Sequence, residues 1–141
     1  MPIPDKIPDQ IRDLVLNSKS LAVWPLDEYP LSEPYRIAAY FQDHGFKLYP
    51  IHEFEERILE EQCYRDIRLV PDDYDLLLLF VNPDSLPEVT NAIFNADYMP
   101  KLVWMHVGIE DLFSYDRLME AQIRAVMGRN LMDCYREWIG D

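Results

Sequence analysis

Four glycines, two cysteines and thirteen basic residues are all that this 141-residue chain holds of those types. Each scarcity excludes something. None of the glycines falls in the loop after the first apolar run, at Trp24-Pro25-Leu26, so a glycine-rich phosphate cradle is missing there. Cys63 and Cys134 lie far apart and match no metal or redox spacing, which predicts two reduced thiols; a disulfide between them is the alternative. No segment approaches the roughly 18 apolar residues of a membrane span. The opening MPIPDKIPDQ lacks the basic and then apolar regions of a secretory signal, so the chain reads as cytoplasmic. The basic residues face 26 acidic ones, and a net charge of −13 repels nucleic acid and anionic membranes.

What is present is an apolar half, 49% of residues, enough for a core without staples. The acids come in short groups: Asp27-Glu28, Glu53 to Glu61, Asp72-Asp73-Asp75 and Glu110-Asp111. They read as a solubilising surface or as a docking face for a basic protein partner.

Pattern along the chain predicts an irregular arm over 1–8, with prolines at 2, 4 and 8, and a single domain over 9–141. Ile11, Leu14 and Val15 recur at helical spacing, with Asp9 as the expected N-cap. Leu21 to Trp24 is a short apolar run stopped by Pro25, the form of a fully buried parallel strand. Ser32 caps a second helix, Pro34 fits its first turn, and Gly45 suits its left-handed end. Phe46 to Pro50 is the second strand, and the acidic 52–61 stretch is expected as a loop with a short helix. Tyr74 to Val81 is the central strand, and a helix follows across Leu86 to Asn95. Leu102 to Met105 is the next strand, with a helix beyond Glu110. A last strand over 123–127 and a closing helix over 131–138 complete the order. Alternation of this kind predicts an α/β, Rossmann-like three-layer domain with a parallel sheet of about five strands flanked by helices. Its ligand crevice lies beyond the carboxyl ends of the strands. That selects loops 24–35, 50–54, 80–85, 104–109 and 127–131.

The first of these loops is badly built for phosphate. Trp24 puts a large ring, and Pro25 a residue without N–H, where backbone donors are needed. Asp27 and Glu28 add negative charge; a like-charge contact at ~4 Å and an effective dielectric near ~20 costs about 4 kcal/mol before screening.

The order of several pieces resembles the small bacterial CoA-binding proteins, single-domain relatives of the CoA-binding domain of succinyl-CoA synthetase. The pieces are Leu21-Ala22-Val23, Pro34-Tyr35-Arg36, His44-Gly45-Phe46, Cys63-Tyr64, Leu86-Pro87-Glu88-Val89 and Val103-Trp104-Met105-His106-Val107-Gly108, spread over roughly 10–135. Pro50, the run from Pro71 to Phe80, and Val126-Met127 with Arg129 continue the match. The resemblance implies a pocket for CoA or a related nucleotide at the carboxyl edge. This sequence departs from the family there: Trp24 stands for the glycine after strand one, Pro25 and Leu26 for small residues, and His52 for an asparagine. Val81 and Asn82 replace basic residues, His106 a glutamine, and Gly128-Arg129-Asn130 an Asp-Arg-Cys.

The candidate ligand-binding residues are therefore Trp24, Pro25, Leu26, Ser32, Tyr35, Arg36, His52, Phe80, Asn82, His106, Gly108 and Arg129. Trp24 either stacks on a purine or pantetheine or plugs the vacated phosphate space. Arg36 and Arg129 are the anion partners expected near the edge, or surface arginines paired with acids. His52 and His106 are a weak pair for metal or acid–base work, so no metal and no catalytic residue is expected. The cysteines, amid negative charge, are not expected as thiolates. Three functions compete: a non-catalytic CoA-like or nucleotide-binding module with a degenerate phosphate loop, an acidic protein-interaction module that has lost its ligand, and a small enzyme using His52 and His106. Tyr135 and Trp138, read as exposed on the closing helix, support a homodimer.

Overall fold

The computed structural model describes residues 6–141. Most of the arm expected over 1–8 lies outside the described residues, and Lys6 to Pro8 carry no helix or strand. The elements are α1 (Asp9–Leu16), β1 (Ser20–Trp24), α2 (Glu33–Asp43), β2 (Lys47–Pro50), β3 (Arg57–Ile58), β4 (Glu61–Gln62), β5 (Leu76–Leu79), α3 (Leu86–Phe94), β6 (Leu102–Met105), α4 (Leu112–Glu120), β7 (Arg124–Val126) and α5 (Leu131–Ile139). Five strands form one parallel sheet in the order β2-β1-β5-β6-β7, so the α/β Rossmann-like expectation holds.

The period of two along each strand divides the core. Leu21, Val23, Leu76, Leu78 and Trp104 face α1, α2 and α5, where Val15, Ile37, Phe41 and Leu131 meet them. Ala22, Leu77, Leu79, Val103 and Met105 face the other way, against Val89 and Ile93 of α3 and Leu118 of α4. Both faces are covered, which is why the strands read as continuous apolar runs rather than alternating ones. Tyr135 and Trp138 also turn inward: Tyr135 sits 5.0 Å from the Phe41 ring and Trp138 6.4 Å from Trp104, centroid to centroid. The exposure expected for them is corrected, because α5 lays its aromatic stripe on the sheet.

Two local expectations also change. Asp9 is the first residue of α1 rather than its cap; the Pro8 carbonyl accepts the N–H groups of Ile11 and Arg12 instead. The 52–61 stretch contains no helix. It leads into the β3–β4 hairpin, whose two-residue turn places Leu59 and Glu60 at φ +53° and +67°. Ser32 caps α2 as expected, accepting from the Tyr35 N–H at 3.2 Å. Gly45 takes φ +89° at the exit of α2, a conformation that favours glycine.

The chain runs from β1 outward to β2, then returns to place β5 on the other side of β1. The switch point therefore lies between β1 and β5, where Trp24 and Leu79 are partners at the carboxyl edge.

Candidate functional site

A cleft of about 1040 Å³ opens at that switch point. Its walls come from the loops after β1, β2 and β5, from residues 65–68 and from one face of α3. Of the residues expected from sequence, it brings together Trp24, Pro25, His52, Phe80 and Asn82. The others lie elsewhere. Leu26 is fully buried in the core, its N–H donated to the Ile51 carbonyl at 3.0 Å. Ser32 caps α2, Tyr35 and Arg36 stand on it, and Gly108, exposed at φ +83°, belongs to the loop after β6. Arg129 lines a separate small depression with Ile7, Tyr115 and Val126, while its carbonyl accepts from Trp104 Nε1 at 2.8 Å.

The loop between β1 and α2 spends part of its own donors. The N–H groups of Leu26, Tyr29, Ser32 and Tyr35 all donate to protein oxygens, and Pro25 and Pro34 have none. Asp27 Oδ1 accepts from Ser32 Oγ at 2.5 Å and from the Tyr29 N–H at 3.0 Å, which holds a carboxylate close to the α2 N-terminus. Glu33, in the first turn, reaches His106 Nε2 at 2.7 Å. The positive end of the helix dipole therefore faces carboxylates of this chain.

The two histidines do not share a site. His52 Nε2 meets Glu28 Oε2 at 3.1 Å, and its Nδ1 accepts from the N–H groups of Phe54 and Glu55, both at 2.9 Å. Both of its ring nitrogens are engaged by the protein. His106 is buried beneath Phe80, ring centroids 4.7 Å apart, and its Nδ1 finds no partner among the described residues. Among the described residues, no group of three or more His, Cys, Asp and Glu side chains stands close enough to hold a metal. The cysteines are free. Burial pushes the Cys63 thiol up to about 11, with Arg65 pulling weakly the other way, and burial also raises Cys134. Burial, rather than the neighbouring acids, is the main cause of both shifts.

Several lining residues were not singled out from sequence. Arg65 and Arg68 enter from the segment before β5, which crosses to the carboxyl edge because the hairpin redirects the chain. Glu88, Asn91 and Asn95 line α3's exposed face; their spacing of three and four was the available signal.

The sheet order and the edge cleft define a Rossmann-like ligand-binding domain. More particularly, the chain belongs to the CoA binding domain family, whose sequence model matches residues 19–134. It is 34% identical over 85 residues to an ADP-forming acetate–CoA ligase II of Archaeoglobus fulgidus, a stretch covering 59% of this chain and 12% of the ligase. The chain thus corresponds to a small part of that relative's length. It is 20% identical over 118 residues to the protein YneT of Bacillus subtilis, covering 84% and 86% of the two chains. The structure of a hypothetical protein from Pyrococcus horikoshii OT3 superposes with a TM-score of 0.84 at 24% identity, over 99% of this chain and 97% of that one. At that identity the likeness shows the shared fold. Among the described residues, no helix is long and apolar enough to cross a membrane.

Proposed function

We propose that this chain is a non-catalytic binding module for CoA or a related nucleotide-derived ligand, held without its former phosphate loop. The observation that carries this reading is the cleft between Trp24 and Phe80 at the switch point of a CoA-binding fold. The family and the ligase relative support a small-molecule ligand. Loss of the phosphate loop is supported by the imino nitrogens of Pro25 and Pro34 and by the carboxylates of Asp27 and Glu33 at the α2 N-terminus. Trp24 then forms a wall of the cleft rather than a cradle. The reading as a binding module is supported by His52, whose nitrogens are both held by the protein, and by His106, which lies outside the cleft.

Calorimetric titration tests the reading with CoA, acyl-CoA, ATP and NAD, and with the uncharged fragments adenosine and pantetheine. Saturable binding of at least one is expected. Absence of binding to all six at millimolar concentration would remove the proposal. A loop-restoring variant, Asp27→Asn, should raise CoA affinity several-fold by removing one carboxylate from the helix terminus.

A second reading, an acidic module that docks a basic protein, is favoured by the rim. Tyr29 and Phe54 stand 64% and 78% exposed at the cleft of a chain carrying −13. It predicts a partner captured at low salt and released at high salt. Recovery of no basic partner at low salt counts against it.

A further inference from the structure

Two guanidiniums line the cleft, those of Arg65 and Arg68, and the protein uses them differently. Arg68 is filled: Nε and Nη2, the two nitrogens of its side-on fork, lie 2.9 and 3.0 Å from the two oxygens of Asp66. Arg65 is anchored but not filled. Its Nη1 donates to the carbonyls of His52 and Glu55 at 3.1 and 2.5 Å. Those carbonyls belong to a turn that is itself pinned, because His52 Nδ1 accepts from the N–H groups of Phe54 and Glu55. Among the described residues, Arg65 Nε and Nη2 make no hydrogen bond, and the guanidinium forms no ion pair. Neutral carbonyls leave its charge uncompensated. The open Nε–Nη2 edge is the fork that fits two oxygens of a phosphate.

Further donors come from the β5–α3 side of the same cleft. Ser85 precedes α3, yet its hydroxyl caps no helix N–H. Asn82 Oδ1 accepts from the Asp84 N–H and Asn91 Oδ1 from Arg117 Nη2, so the NH₂ groups of both amides are left for a ligand. Most carboxylates of the lining are engaged: Glu28 meets His52, Asp66 meets Arg68, and Asp27 accepts from Ser32 and Tyr29. Glu53 and Glu88 are exposed, where water and salt screen them. One charged fork and several neutral donors thus stay open, the complement of a group made of acceptor oxygens.

We infer that Arg65 holds a phosphate group of the ligand, which places the anion at the segment between β4 and β5 and not at the β1–α2 loop. The inference rests on the reading that this cleft binds CoA or a related nucleotide-derived molecule, and it names the residue that takes the charge. Arg65 then determines specificity, selecting phosphate-bearing ligands over their uncharged fragments. Lysine at this position would keep the charge and lose the fork.

Calorimetric titration of the intact protein with CoA, adenosine and pantetheine tests this, in the native chain and in Arg65→Gln, Arg65→Lys and Arg12→Gln. Arg12→Gln makes the same charge change on α1, away from the cleft. Arg65→Gln should weaken CoA about tenfold or more and move either fragment by less than twofold. Arg65→Lys should recover part of the loss, and Arg12→Gln should keep CoA within twofold. CoA unchanged in Arg65→Gln, weakened equally in Arg12→Gln, or weakened no more than the fragments, overturns the assignment of Arg65 and leaves the binding module standing. Binding of a fragment but not of CoA to the native chain does the same. Where CoA alone binds, the contrast between the variants at 65 and 12 decides. No binding of any of the three to the native chain overturns the phosphate site and counts against the module as well.

Discussion

His106 Nε2 lies 2.7 Å from Glu33 Oε1, which ties the end of β6 to the first turn of α2 across the top of the sheet. The imidazole is 6% exposed and the carboxylate 50%, so a buried ring depends on a half-exposed partner. Because Nδ1 has no partner among the described residues, loss of Glu33 leaves neither ring nitrogen bonded to any of them. Glu33→Ala should destabilise the fold by about 1–2 kcal/mol, and Glu33→Gln by less, since the amide still reaches Nε2. Urea denaturation of the two variants checks the order; equal costs would show that the hydrogen bond contributes nothing.

At the opposite edge, Asp75 joins three elements. It accepts from the Lys19 N–H at 2.7 Å and from Lys101 Nζ at 3.0 Å, and its own N–H donates to Ser20 Oγ at 2.9 Å. Burial pushes its carboxyl up, but these donors outweigh burial and hold it below the ordinary aspartate value. A carboxyl depressed on folding adds stability above its unfolded value, about pH 4, and that stability is lost as pH falls through the folded value. Asp66, lowered by Arg68 against the opposing effect of burial, behaves alike. Stability should therefore drop as pH falls below about 4, and the drop should be smaller in Asp75→Asn. Thermal melts across that range read it.

Two tryptophans of this chain should respond differently to truncation. Trp104 is fully buried and its Nε1 donates to the Arg129 carbonyl at 2.8 Å, so Trp104→Ala should cost about 3–5 kcal/mol. Trp24 is half-buried at the cleft, and Trp24→Ala should cost less than half as much while changing ligand affinity. Equal losses of stability in guanidinium melts would make Trp24 a core residue and not a wall of the site.

Cys63, buried with its thiol pushed up to about 11, should alkylate at least tenfold more slowly than Cys134 or a free thiol at pH 7.5. Mass spectrometry of the iodoacetamide-treated native protein measures the ratio. Rapid labelling of Cys63 would mean that the segment carrying it opens readily.

Much of the fold was legible in the residues alone. The apolar runs at 21–24, 76–79 and 102–105, the stops at Pro25 and Pro50, the Ser32 cap and the left-handed Gly45 are local in their causes, and local causes can be read in order. The absence of glycine from the β1 loop and the imino nitrogen of Pro25 are likewise properties of single residues. The tertiary structure decided the rest. Sheet order set the switch point beside β1 and so chose Trp24, His52 and Phe80 while leaving Arg36, His106 and Arg129 outside the cleft. The hairpin at 57–62 carried Arg65 and Arg68 to that edge, and the period of strand and helix turned Tyr135 and Trp138 inward. Which side chains share a space depends on contacts between distant segments, and no one-dimensional spacing encodes those distances.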